Sequence, residues 1–105
     1  MSNESVDKAI YDMLLECLHI TYTPDDATKY RIYHEAAAGI QYIRTYCDPE
    51  ASCEPHTLSG QLLCDYVLRT EAGDVQSFAK DFAQEITALK MEYDARKYAE
   101  AMGYV

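Results

Sequence analysis

Thr23-Pro24-Asp25-Asp26-Ala27-Thr28-Lys29-Tyr30-Arg31-Ile32-Tyr33-His34-Glu35-Ala36-Ala37-Ala38-Gly39-Ile40-Gln41-Tyr42-Ile43-Arg44-Thr45-Tyr46 reads as one long helix. It opens with a hydroxyl that can cap, a proline suited to the first helical position, and two acids where the helix dipole favours anions. Ile32, Ala36, Ile40 and Ile43 recur at three- and four-residue steps, the period of a helix that buries one face. Tyr30, Tyr33, Ala37 and Arg44 form an adjacent stripe. In the block Ala36-Ala37-Ala38-Gly39, the glycine weakens a helix by about 1 kcal/mol relative to alanine. Two readings stand equally: close approach of a second helix there, or a glycine that is simply tolerated.

Outward from this helix the same period continues on both sides. A preceding helix is expected over about residues 5–19, with Val6, Ile10, Met13, Leu14, Cys17 and Leu18 inward and Glu4, Asp7, Lys8, Asp12 and Glu16 outward. Leu18 to Tyr22 could form a strand, but an isolated one, and is read as a link. After Tyr46 the chain breaks at residues 47–57, where Asp48-Pro49 and Glu54-Pro55 turn their leading residues away from helical geometry. A surface loop is expected there. A third helix follows over about 58–71, burying Leu58, Leu62, Leu63, Tyr66 and Val67, and Gly73 ends it. The last helix is expected over about 74–101, with Val75, Phe78, Phe82, Ile86, Leu89 and Tyr93 as its seam. About 28 residues at 1.5 Å each span ~42 Å, too long for a domain whose radius of gyration should be ~13 Å. Part of it must project, bend or pack outside the monomer. The seam covers fewer than three heptads, so a small bundle is expected rather than a coiled coil.

The expectation is therefore an all-α fold: one domain over residues 1–105, a bundle of about four helices with a long C-terminal one. No run of about 18 apolar residues occurs, so no membrane span is expected. The opening Met1-Ser2-Asn3-Glu4-Ser5 has neither a basic region nor an apolar run, so no secretory signal is expected. These features point to a soluble intracellular chain with free thiols. Cys17 and Cys64 then read as small core residues, and Cys47 and Cys53 as loop thiols. A Cys47–Cys53 disulfide formed on oxidation is expected ahead of a Cys47/Cys53/His56 metal site, whose five-residue gap exceeds the usual knuckle.

Charge narrows the partners. The chain carries nine Lys and Arg against eighteen Asp and Glu, a formal charge of −9. Residues 1–28 hold six acids and one base, and no segment is basic. Binding to nucleic acid or an anionic membrane needs clustered cations, so both are disfavoured, sequence-specific DNA binding included. No glycine-rich phosphate loop, nucleophile elbow or His-Glu-x-x-His pattern occurs; His34-Glu35 is followed by Ala38 where a second histidine would stand. No catalytic, cofactor or metal site is expected, and the chain is not read as an enzyme.

The unusual feature is tyrosine: ten, with two phenylalanines and no tryptophan. Tyrosine suits positions dry on one side and wet on the other, as at protein interfaces. Four of them, Tyr30, Tyr33, Tyr42 and Tyr46, lie on more than one face of the second helix. With Tyr93, Tyr98, Met102 and Tyr104 near the C-terminus, they are the candidate subunit or partner contacts.

Two segments carry a resemblance. Leu62-Leu63-Cys64-Asp65-Tyr66-Val67-Leu68-Arg69, then a short turn and Phe78-Ala79-Lys80-Asp81-Phe82-Ala83-Gln84-Glu85-Ile86-Thr87-Ala88-Leu89-Lys90, resembles the C-terminal half of phage head–tail connector (adaptor) proteins. The likeness spans about residues 20–93 and rests mostly on core positions; the loop with Cys47, Cys53 and two prolines departs from it. The resemblance implies a non-enzymatic virion assembly protein of a tailed phage or prophage. It implies a homo-oligomeric ring between the portal protein and a tail-completion or stopper protein, made in the host cytoplasm and ending in the virion. An acidic ring would repel the duplex and let it slide through during DNA packaging. It also implies that the end of the last helix, from about Arg96, moves until docked. The competing reading is an acidic regulatory module, an anti-repressor or DNA-mimic inhibitor, which would line acids along one exposed face and bind a basic protein without forming a ring.

Overall fold

The computed structural model describes residues 6–103, and among these every regular element is helical. Helix α1 spans Lys8–Cys17, α2 Asp26–Tyr46 and α3 Leu58–Glu71; a 3₁₀ turn at Val75–Ser77 leads into α4, Phe78–Asp81, and α5 is Ala83–Ala101. The molecule is elongated, 50 × 27 × 25 Å, with a radius of gyration of 14.7 Å.

Each of the three main starts is fixed by one side chain. The carboxylate of Asp7 accepts from the Ile10 amide at 3.0 Å, that of Asp25 from Thr28 at 2.8 Å, and the Thr57 hydroxyl from Gly60 at 3.0 Å. The cap of α2 is thus Asp25 rather than Thr23, and Pro24 precedes the helix instead of opening it. A carboxylate is at least as good an amide acceptor as a hydroxyl and stands closer to the free N–H groups. Helix α1 ends earlier than its apolar period suggests. His19 adopts φ +59°, its amide bonds Glu16 O at 3.1 Å, and the Ile20 amide reaches back to Leu15 O at 2.9 Å. That is a Schellman closure with histidine where glycine is usual. Gly73, φ +74°, closes α3 in the same way.

Helix α3 is the hub and touches α1, α2, α4 and α5. Its Leu62, Leu63 and Val67 lie with Leu14, Ile32, Ile40, Ile43 and Phe78 in a fully buried cluster. Gly39 of α2 faces it at close range: a Cβ there would stand 2.7 Å from Leu63 Cδ1 and 2.9 Å from a Tyr66 ring carbon. Of the two readings of Gly39, close approach of a second helix is the one found. Gly60 is more constrained still, since a Cβ would lie 2.0 Å from the Glu54 carbonyl oxygen.

Three expectations are corrected. Cys17 and Cys64 are joined in a disulfide that ties the end of α1 to the middle of α3, while Cys47 and Cys53 are free and buried. Segment 47–57 is a surface loop only in part: Pro49, Glu50, Ser52, Glu54, His56 and Thr57 are exposed, but four residues are pinned inward. Cys47, Asp48, Ala51 and Cys53 are buried; Arg44 Nε donates to Ala51 O at 2.9 Å, and the Cys53 amide donates to Ser59 Oγ at 3.0 Å. The last helix is not continuous. Phe82 leaves helical geometry, with φ −113° and ψ 27°, between α4 and α5. Phe78 turns inward against Tyr42 and Tyr66, and Arg69 bonds Ser77 and Asp81 while its guanidinium covers the Phe82 ring. Burying Phe78, at about 1.5–3 kcal/mol for a side chain of this size, favours the bend over a straight rod.

Candidate interaction surface

The candidate residues fall into three groups. On the N-terminal half of α2, Tyr33 stacks on Tyr11 with ring centres 4.7 Å apart and planes 4° from parallel. Tyr30, one turn earlier, stands in solvent and stacks on its own helix neighbour His34 at 6.2 Å. At the C-terminal end, Tyr42 is half-buried among Tyr46, Tyr66 and Phe78, with centroids 4.8, 5.5 and 5.6 Å away; burial holds its hydroxyl pKa above the ordinary value. Tyr46 covers this nest from outside and is exposed. The third group lies on α5. Tyr93 is half-buried beneath the cations of Arg96 and Lys97, whereas Tyr98 is 63% and Met102 52% exposed. Tyr104 lies outside the described residues.

Tyr33 and Tyr42 thus serve the interior, and Tyr30, Tyr46, Tyr98 and Met102 face outward. Sequence reasoning missed three more exposed apolar side chains: Tyr22, Leu68 and Met91, the last 64% exposed. The signal for Met91 was present, since it stands opposite the Ile86–Leu89–Tyr93 seam on a helical wheel.

Helix α5 is held farther along than expected. Arg96 meets Asp48 at 3.2 Å and Glu50 at 3.3 Å, and Lys97 pairs with Glu50 and Glu100. Asp48 is nearly sealed from solvent, so the arm is anchored to the loop after α2 as far as Lys97. Only its last turn extends past these anchors.

Burial shifts two ionisable groups far from their ordinary values. The carboxyl of Glu35 is pushed up to about 8, first by burial and then by the neighbouring Glu71 carboxylate; its Oε1 is buried without a hydrogen-bond partner. Glu71 is held below its ordinary value and pairs with Arg31 at 2.9 Å. This trio clasps α2 to the end of α3. The Cys53 thiol is pushed up to about 11 by burial, which makes it a poor nucleophile and metal ligand. A groove of about 480 Å³ runs between α1, the start of α3 and His56, bordered by Asp12, Glu16 and the Cys17–Cys64 bridge. Among the described residues no group of three His, Cys, Asp or Glu could hold a metal, and no helix is long and apolar enough to cross a membrane. The chain matches no protein-family model, no curated protein and no solved structure.

Proposed function

We propose that this chain is a structural assembly subunit of a tailed phage or prophage, joining portal to tail as a ring with an acidic channel. One observation carries the reading: the core closes without Tyr22, Tyr30, Tyr46, Met91, Tyr98 and Met102, which leaves large apolar side chains in water around a saturated interior. Single exposed apolar residues are ordinary, but this many on a 105-residue chain suits a subunit that meets neighbours. Head-to-tail contacts between unlike faces close into rings when the rotation permits. Exposed Tyr30 and Tyr46, 16 residues apart on α2 and so about 160° apart around its axis, supply two such unlike faces. A charge of −9 suits a channel through which DNA must slide without sticking. The Cys17–Cys64 bridge suits a particle that leaves the reducing host cytoplasm.

Light scattering after size exclusion, on the chain alone and with portal rings of a tailed phage, tests this. The expected result is a high-mass complex with the portal that is lost in Tyr30→Ser/Tyr46→Ser. A small stoichiometric complex with a basic protein, and none with the portal, would favour the acidic regulatory module instead.

A further inference from the structure

Helix α5 has two apolar faces, and the fold uses one. Ile86 and Leu89 pack on the body of the molecule, and Tyr93, half-buried, follows on the same side of the helix. On the opposite side Ala88, Met91, Ala95, Tyr98 and Met102 follow one another at alternating three- and four-residue steps, and all five are exposed. That spacing is the seam of a two-helix packing. It runs for about 21 Å at 1.5 Å per residue. Its first turns form a shallow groove of about 360 Å³ lined by Ala83, Gln84, Thr87, Ala88 and Met91. Ala88 and Ala95 leave room for large side chains from a partner, Tyr98 offers a rigid anchor, and the two methionines adapt to what they meet.

Charge decides the occupant. Glu92 and Asp94 border the stripe on its two sides and Glu85 stands two turns before Glu92; none of the three takes part in an ion pair among the described residues. Two of the three cations of α5 are committed elsewhere. Arg96 and Lys97 are turned to Asp48 and Glu50, and Lys90 lies near enough to the buried Cys47 to lower its thiol pKa against the effect of burial. No basic residue stands in the last turn of α5, whose free carbonyls carry partial negative charge. A second copy of the same stripe would set acid against acid.

We propose that the outer face of α5 is a docking site for an amphipathic helix of a partner protein, one with large apolar residues along its seam and Lys or Arg on both flanks. Ring contacts through α2 do not require this face, so either reading can fail alone.

The test uses the full chain and a fluorescent helical peptide of about three heptads with Leu at the seam and Lys on the flanks; a control peptide carries Glu on the flanks. The Lys peptide should bind, weaken as salt rises, and exceed the Glu peptide by at least about tenfold. Met91→Asp/Tyr98→Asp should weaken it by at least about tenfold with the circular dichroism unchanged, because both side chains are exposed. Met91→Gln/Tyr98→Ser replaces that pair if the double aspartate variant misfolds. Equal binding of both peptides, or undiminished binding to the variants, overturns the proposal. So does a concentration-dependent dimer of the chain alone that disappears in the same variants, which would make the occupant a second copy.

Discussion

Helices α3 and α5 are built from similar amounts of apolar sequence and end in different situations. Around α3 every large apolar side chain except Leu68 has a partner: α1 through Leu14 and the disulfide, α2 through Gly39 and Ile40, and α4 through Phe78. On α5 only Leu89 is buried, and the helix is held by ion pairs at its rim as much as by packing. Dispersion and hydrophobic burial specify one arrangement when the surroundings are complete. A helix packed on one face keeps its position but leaves the other face available.

Breaking the α3 surroundings should give the largest effects. In the chain-entropy account, a bridge between residues 47 positions apart is worth about 4 kcal/mol. Cys17→Ser/Cys64→Ser should lower the stability read from urea unfolding by that order. Leu62→Ala, which empties a fully buried site, should cost about 2–5 kcal/mol in the same assay. Met91→Ala and Tyr98→Ala on α5 should stay within about 0.5 kcal/mol of the parent, since neither side chain has a core contact to lose. A loss on α5 as large as that at Leu62 would mean that the arm packs on the body more fully than its exposure implies.

The clasp between α2 and α3 sharpens the comparison by pH. The folded chain keeps a proton on Glu35 up to about 8, whereas the unfolded chain releases it near the ordinary 4.5. The folded form therefore binds more protons between these values. Its stability should fall as pH rises from 4.5 to about 8 and level off beyond. Glu71, held low by Glu35 and Arg31, contributes stability above its ordinary value that is lost as pH falls through its lowered one. Denaturant midpoints across pH check the slope, and Glu35→Gln should flatten it above pH 5. The smallest effect separates the ends of the two regions. Backbone amides past Lys97 should exchange within the fastest group of α5, and those of residues 39–43 in α2 among the slowest.

Most of the helices were legible in the sequence. The period over 26–46 and 58–71 and the stop at Gly73 are local properties, and the structure agrees. The early end of α1 was not, because the left-handed residue that closes it is His19 rather than the glycine usual at such a stop. Nor was the burial of Cys47, Asp48, Ala51 and Cys53 within segment 47–57, whose polar and proline-rich composition hides bonds made by Arg44, Ser59 and Arg96 from outside it. At the surface, the tyrosine count announced an excess of interface-type residues without sorting them. Tyr33 and Tyr42 have the same chemistry as Tyr30 and Tyr46, and only their neighbours Tyr11, Tyr66 and Phe78 draw them inward.

By itself, the sequence determined an acidic chain of amphipathic helices and where most of those helices begin and stop, because caps and apolar periods act over a few residues. Tertiary structure alone decided that Cys17 meets Cys64, that the last helix bends at Phe82, and that one face of α5 remains uncovered. Each of these depends on which distant side chains share a neighbourhood, and packing sets that only once all the helices are in place.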